Sequence, residues 1–83
     1  MEYYASHMRY DGLKLKRIRM GKGLRQTQVA KATGVSQPSI SEAESGRNQD
    51  PPMFKKLAKF YGVALADLII EDVPTNGSKR KTA

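Results

Sequence analysis

A segment of twenty residues, QTQVAKATGVSQPSISEAES at positions 26–45, constrains the fold of this chain more than any other feature. Its apolar residues recur at helical spacing in two short blocks, which Gly34 separates. Glycine readily adopts the left-handed conformation that ends many helices, and Ser36 is a good N-cap for a following helix. The segment therefore predicts two short helices, over residues 26–33 and 37–44, joined by a tight turn.

Two short helices in this arrangement form the layout of a helix-turn-helix motif, whose second helix enters the major groove of DNA. The apolar stripes elsewhere predict three more helices and no strand. The first helix follows an N-cap at Asp11 and covers residues 12–22. The fourth starts at Pro52 and ends before Gly62, and the fifth covers residues 65–70. The chain should therefore fold as an all-α domain.

The length of 83 residues allows one small domain, which we expect to span residues 11–73. Residues 1–10 and the basic residues 74–83 are expected to be flexible tails. Ser6-His7-Met8 resembles the remnant of an expression vector, which would make Met8 the natural start. Without cysteine, the chain has neither disulfides nor thiolate metal sites. The lack of a long apolar run or a signal-peptide pattern predicts a cytoplasmic protein that does not bind membranes.

The net charge of +7 indicates a polyanionic partner, and the charge is unevenly distributed. Residues 1–24 carry six basic and two acidic side chains, and residues 74–83 carry three basic ones. The segment 25–50, which contains the two short helices, has three of each sign and is neutral. We therefore expect non-specific attraction to DNA from the first helix and the C-terminal residues, and discrimination between DNA sequences from the helix-turn-helix segment.

Catalytic functions have little support in the sequence. The one histidine, His7, lies in the expected N-terminal tail, so a histidine-based triad or metal cluster is not expected. The carboxylates are few and scattered, and Gly21-Lys22-Gly23 lacks the surroundings of a phosphate-binding loop. We therefore expect a binding protein without cofactor or metal, rather than an enzyme.

The segment GLRQTQVAKATGVSQPSISEAESGR, at positions 23–47, resembles the DNA-binding domain of phage repressors and Cro proteins, the XRE-type helix-turn-helix family. The segment PPMFKKLAKFYGVALADLI, at positions 51–69, resembles the fourth and fifth helices of that family, and the similarity covers about residues 13–70. It implies a compact five-helix repressor-type domain with flexible basic tails. It also implies a bacterial or phage-encoded, nucleoid-associated protein that binds double-stranded operator DNA as a homodimer and regulates transcription.

The resemblance also implies roles for individual residues. Helix 3, about residues 37–44, would enter the major groove. The side chains expected to contact bases are Gln37, Ser41, Glu42, Ser45 and, at the edge, Ser36. Those expected to contact phosphates are Gln26, Arg47 and Asn48. Arg19 and Glu44 would form a partly buried ion pair.

The apolar residues in and around the expected fifth helix are the candidate dimer interface. Two adjacent isoleucines cannot both face one narrow core stripe, so one of them should contact a partner. The candidates are Leu65, Ile69, Ile70 and Val73.

Three positions depart from the family pattern. Arg25 stands where a serine or threonine cap is usual, so that a capping bond is lost and a charge that can contact phosphate is gained. Thr33 replaces a large apolar residue, which should leave that corner of the core thin. Ala64 replaces the serine cap of the fifth helix and should weaken that helix.

The chemistry of three side chains in helix 3 bears on base recognition. The amide of Gln37 can donate and accept together, which matches adenine N6 and N7 in a bidentate pair. Glu42 either accepts from cytosine N4 or is repelled by phosphates, and both alternatives stay open. Pro38 lies in the first turn, where it either stiffens the start of the helix or contacts a thymine methyl group.

Several functions remain compatible with the sequence. A phage repressor, a restriction–modification controller and an antitoxin are not separated by it, although repression by steric exclusion of polymerase suits a domain without a sensor. A protein-interaction adaptor is the alternative from a different class, and it would show no sequence-specific DNA binding. RNA binding has less support, because the aromatic stacking platforms used for single strands are lacking.

Overall fold

Four α-helices and a two-stranded antiparallel sheet make up residues 7–72, the part of the chain that the computed structural model describes. In chain order the elements are β1 (His7–Tyr10), α1 (Gly12–Gly21), α2 (Gln26–Thr33), α3 (Gln37–Glu44), α4 (Pro51–Tyr61), a 3₁₀ turn (Leu65–Leu68) and β2 (Ile69–Asp72). None of the helices in this range is long and apolar enough to span a membrane. Residues 1–6 and 73–83, which include Val73 and the expected basic C-terminal tail, lie outside the described residues.

The ends of the helices are set by capping residues that the sequence predicts. The Asp11 carboxylate accepts a hydrogen bond of 3.0 Å from the first turn of α1, and the Ser36 hydroxyl accepts one of 3.2 Å from the first turn of α3. Gly34 follows α2 with φ at 82°, a left-handed conformation that a side chain would strain. The predicted bounds of α2 and α3 are confirmed, whereas α1 ends one residue earlier than predicted, at Gly21.

One hydrophobic core lies between the four helices. α4 contributes the predicted apolar stripe, and Phe54, Leu57, Ala58 and Tyr61 are all buried. The largest fully buried side chains are Phe54, Leu15, Ile40, Leu57, Leu68 and Val29, so every helix and the 3₁₀ turn supply at least one. Burying each such side chain is worth about 1.5–3 kcal/mol, so this packing fixes the helix-turn-helix segment against α1 and α4.

α1 approaches α3 at a point where only glycine fits. Gly12, the first residue of α1, is buried against the carboxyl end of α3. A Cβ atom at this position would collide with the backbone oxygen of Ala43 and would lie 2.9 Å from the backbone oxygen of Glu44. This close approach fixes α1 directly beneath the helix that carries the predicted base-contacting residues.

In place of the predicted fifth helix, the structure contains a short turn and a strand. The 3₁₀ turn spans four residues, Leu65–Leu68, and β2 follows it directly. β2 pairs with β1 in antiparallel register, with Tyr10 opposite Ile69. Four residues of the expected N-terminal tail, His7–Tyr10, are therefore a strand. The helical helix-turn-helix fold is confirmed, but the prediction of five helices and no strand is wrong, since the described residues form four helices and two strands.

Local sequence and packing together explain the strand pair. Ala64, at the start of the 3₁₀ turn, makes no side-chain capping bond, in line with its departure from the family pattern. Ile69 and Ile70 are β-branched, which favours an extended backbone. On the partner strand, the Tyr10 ring stacks on buried Phe54 with ring centroids 4.5 Å apart. This contact between distant parts of the chain places β1 where β2 can pair with it.

Candidate nucleic-acid interface

The two sides of α3 differ in burial. Ile40, Ala43 and Glu44 are buried against the rest of the domain. Residues four apart lie on one face of a helix, and the predicted base-contacting residues follow this spacing on the side away from the core. Those on α3 and at its end are Gln37, Pro38, Ser41, Glu42 and Ser45, which are half-buried or exposed. The structure thus places these residues on one accessible surface.

A chain of hydrogen bonds holds Gln37 at the start of that surface. Gln37 Nε2 donates to Gln26 Oε1 at 2.6 Å, and Gln26 Nε2 donates to Glu44 Oε1 at 3.0 Å. Arg19 donates to both oxygens of Glu44, from Nε to Oε2 at 2.7 Å and from Nη2 to Oε1 at 3.1 Å. We call these four residues the Arg19–Gln37 network. It joins α1, α2 and α3 at one point.

The ion pair in the Arg19–Gln37 network is almost enclosed by protein. The side chains of Arg19 and Glu44 are 11% and 4% exposed. Arg19 Nη1 also donates to the backbone oxygen of Leu24 at 2.7 Å. The hydrogen bond to Glu44 raises the pKa of Arg19 above its ordinary value, although burial acts in the opposite direction. Both charged groups therefore have the partners that burial of a charge requires.

The Glu44 carboxylate determines which way both glutamine amides point. An ionised carboxylate only accepts hydrogen bonds, so Gln26 turns its NH₂ group towards Glu44 and its oxygen towards Gln37. Gln37 then donates from its own NH₂ group and keeps its oxygen and a second N–H for other partners. One acceptor beside one donor is the pattern that adenine N6 and N7 require. Gln26 likewise keeps one N–H for another partner.

Two of the predicted base-contacting hydroxyl groups already donate within the protein. Ser36 Oγ donates to Ser39 Oγ at 2.7 Å, and Ser45 Oγ donates to the backbone oxygen of Glu42 at 3.0 Å. Their protons are therefore engaged, while lone pairs remain. In this arrangement both hydroxyl groups can accept from a base edge, but they do not offer a free donor.

The four candidate phosphate contacts lie in two places beside α3. Gln26 is the first residue of α2 and Arg25 precedes it, while Arg47 and Asn48 lie in the loop after α3. Arg25 is the N-cap of α2 and makes no side-chain capping bond, as its departure from the family pattern predicts. In the loop, the N–H groups of Arg47 and Asn48 donate to the Glu42 backbone oxygen at 2.8 and 3.2 Å. The exposed Arg25 and Arg47 side chains are thus carried on ordered backbone.

Two polar residues outside the predicted set hold this region in place. Gln49 Oε1 accepts from the Tyr10 N–H at 2.6 Å, and Gln49 Nε2 donates to the Tyr10 backbone oxygen at 3.1 Å, so the loop after α3 is joined to β1. The Thr33 hydroxyl donates to the Val29 backbone oxygen at 2.7 Å and accepts from the Val35 N–H at 3.2 Å. The sequence around Gln49 does not predict this contact, because its partner Tyr10 is 39 residues away.

The candidate dimer residues are divided between the turn and β2. Leu65 is partly buried against the core, and Ile69 and Ile70 are half-buried in the strand. Val73 lies outside the described residues. The predicted interface would therefore involve a strand and its flanking turn rather than a helix.

Comparison with known proteins assigns the family. The helix-turn-helix family matches residues 15–68, a range that contains the whole Arg19–Gln37 network. The chain belongs to the XRE-type helix-turn-helix family of phage-repressor-like, DNA-binding transcriptional regulators.

Two individual proteins illustrate the similarity. The chain is 38% identical over 65 residues to the cryptic phage CTXphi transcriptional repressor RstR of Vibrio cholerae. That match covers 76% of this chain and 57% of the repressor, so the chain spans little more than half of that relative's length. The crystal structure of the transcriptional regulator VanUg has the same fold, with a TM-score of 0.63 and 17% identity, and the match covers 90% of this chain and 99% of VanUg.

Proposed function

We propose that this protein is a sequence-specific transcriptional repressor, which inserts α3 into the major groove of operator DNA and acts as a homodimer. The orientation of Gln37 carries the proposal, because its amide keeps one acceptor and one donor at the accessible start of α3. The family supports DNA binding, and the relative from Vibrio cholerae is named as a repressor.

Base recognition begins at Gln37 in this proposal. Its amide pairs with adenine N6 and N7, a contact that discriminates against other bases by about 1–3 kcal/mol. Ser41 and Ser45 follow at successive turns on the same face. Glu42, which is exposed on this face, either accepts from cytosine N4 or is repelled by the phosphates. Ser36 and Pro38 lie beside Gln37 and contact the adjoining base pair.

Phosphate contacts fix the position of α3 in the groove. The remaining N–H of Gln26 and the charge of Arg25 bind the DNA backbone beside α2, and Arg47 and Asn48 bind it beside the loop after α3. Such contacts supply affinity that depends on salt but carries no sequence information.

Two protomers would place their α3 helices about 34 Å apart, one turn of B-DNA. We propose that Leu65, Ile69, Ile70 and Val73 form the interface, because the half-buried β2 residues leave apolar surface for a second copy. The dimer would occupy its operator in the cytoplasm, on the nucleoid, and exclude polymerase without any catalytic step.

Selection of duplexes from a random oligonucleotide pool tests the proposal. We expect a palindromic consensus with an adenine in each half-site, and binding that weakens steeply as salt rises. The Gln37→Ala variant should lose the preference at that adenine alone, whereas Gln28→Ala, an exposed glutamine of α2, should keep it. Flat enrichment together with tight capture of a protein would favour the adaptor function instead.

A further inference from the structure

A cleft of about 500 Å³ separates the start of α3 from the start of α4. Ser36 and Ser39 line it on the α3 side, Asn48 lines it from the loop, and Lys56 lines it from α4. We propose that this cleft is a phosphate-binding site, at which Lys56 contacts the DNA backbone on the side of α3 opposite to α2. The inference rests on the proposed function and adds a contact residue to it.

The position of the cleft follows from the size of a helix in the major groove. A helix with its side chains is about 10–12 Å across, and the groove is about 12 Å wide. The backbones of both DNA strands must therefore lie against whatever flanks α3. Gln26 flanks it on the side of Gln37, and Ser39 lies about half a turn round the helix from Gln37. The cleft beside Ser39 is thus where the second backbone would lie.

The N-terminus of α4 cannot bind a phosphate by its own N–H groups. Pro51 and Pro52, its first two residues, have none. The Met53 N–H donates to Asp50 Oδ2 at 3.1 Å, and the Phe54 N–H donates to the Asp50 backbone oxygen at 3.1 Å. A helix start commonly attracts anions through such groups, but here they are absent or engaged. The start of α4 can therefore bind an anion only through side chains, in addition to Arg47 in the preceding loop.

Lys56 is the α4 lysine placed to supply a positive charge there. It is exposed and lines the cleft. Lys55 and Lys59 do not line the cleft; they line a neighbouring groove, to which Lys56 also contributes. Asp50 lines the cleft as well, and its carboxylate repels a phosphate. Lys56 offsets that charge and leaves the cleft able to bind an anion.

Two neutral donors complete the site. Ser39 Oγ accepts from Ser36 at 2.7 Å, so the Ser39 hydroxyl proton is directed to another partner. Asn48 Oδ1 accepts from the Asp50 N–H at 3.1 Å, which leaves the NH₂ group of Asn48 free to donate. A phosphate in the cleft would then meet one ammonium group, one hydroxyl group and one amide.

Binding of Lys56→Gln and Lys59→Gln to a duplex selected by the wild-type protein, and to an unrelated duplex, tests the inference. Both substitutions remove one positive charge from the same helix. We expect Lys56→Gln to weaken binding to both duplexes about five- to tenfold at about 0.1 M salt, and to reduce the salt slope by about 1. Lys59→Gln should stay within about twofold of wild type. Circular dichroism melts establish that both variants are folded.

Asp50→Asn provides a test of opposite sign. Asparagine is as good an N-cap as aspartate, so α4 should keep its start while the cleft loses its negative charge. We expect this variant to bind both duplexes several-fold more tightly. Equal effects of Lys56→Gln and Lys59→Gln on binding, or no gain in affinity with Asp50→Asn, would overturn the inference. The proposed function would still stand if the wild-type protein binds the selected duplex more tightly than the unrelated one. If the wild-type protein does not discriminate, both fail together.

Discussion

Glu44 accepts hydrogen bonds from two residues on different helices, Arg19 in α1 and Gln26 in α2. The residue is 8% exposed although its side chain ends in a carboxyl group, which pairs with Arg19. Because the carboxylate also orients the Gln26 amide, and through it Gln37, one buried charge serves both the packing of three helices and the geometry of the accessible surface.

Replacing Glu44 by alanine should therefore destabilise the fold strongly. The Arg19 guanidinium would remain buried without its partner, which costs about 3–5 kcal/mol of unfolding free energy. Urea and thermal melts measure the loss. Glu42→Ala, which removes an exposed carboxylate from the same helix, should change the unfolding free energy by less than about 0.5 kcal/mol. A melt of Glu44→Ala that matches wild type would contradict this role.

Gly12→Ala should destabilise the protein through a steric effect. The added methyl group meets the backbone oxygens of Ala43 and Glu44, so α1 must move away from α3, at a cost of about 1–3 kcal/mol. Gly21→Ala is the matched control, because a Cβ atom there meets nothing within 4 Å. Alanine is the better helix former, so this control should be neutral or stabilising by up to about 1 kcal/mol. Equal denaturation midpoints for the two variants would argue against the close approach.

At the scale of elements, the start of α2 has a positively charged residue where a capping side chain would stabilise the helix. Arg25 makes no side-chain capping bond, while Gln28 Oε1 already accepts from the Arg25 N–H at 2.7 Å. Serine at position 25 would supply the missing half of a capping box. We expect Arg25→Ser to raise the unfolding free energy by about 0.5–1 kcal/mol and to weaken DNA binding at the same time. Chemical denaturation and binding at two salt concentrations measure both effects. Unchanged DNA affinity would exclude Arg25 from the phosphate contacts.

The helical elements were predictable because their signals are local. The cap at Ser36, the turn at Gly34 and the α4 stripe ending at Tyr61 each lie within a few residues of the structure they specify. The strand pair was not predictable from sequence, because β1 depends on the stacking of Tyr10 on Phe54, two residues that are far apart in sequence.

The candidate site shows the same division. The family resemblance named the polar residues of α3 that are expected to contact bases, and helical periodicity explains why they share one face. The bond from Gln37 to Gln26 depends on how α2 and α3 cross, and the tie from Gln49 to Tyr10 depends on where β1 lies. Neither geometry is encoded in the spacing of residues along one helix.

For the whole molecule, alkaline pH should reduce stability through Tyr61. Burial, with a smaller contribution from Glu44, raises the pKa of the Tyr61 phenol from its ordinary value to about 12. The unfolded chain therefore loses this proton near pH 10, while the folded protein retains it up to about pH 12. The contribution of Tyr61 to the unfolding free energy is therefore fully present below pH 10 and is lost as the pH rises from 10 to about 12. The decline should be on the order of 1–2 kcal/mol. Denaturation series should show a shallower decline for Tyr61→Phe, and an unchanged slope would contradict this source.

The Arg19–Gln37 network has a consequence for how specificity depends on temperature. Its hydrogen bonds form when the chain folds, so the conformational entropy of the Gln37 side chain is lost then, rather than on meeting DNA. If warming loosens the packing of α1 against α3, the Gln37 side chain regains its conformational freedom while most of the helix content persists. The difference in affinity between operator and unrelated DNA should then shrink at temperatures below the melting transition.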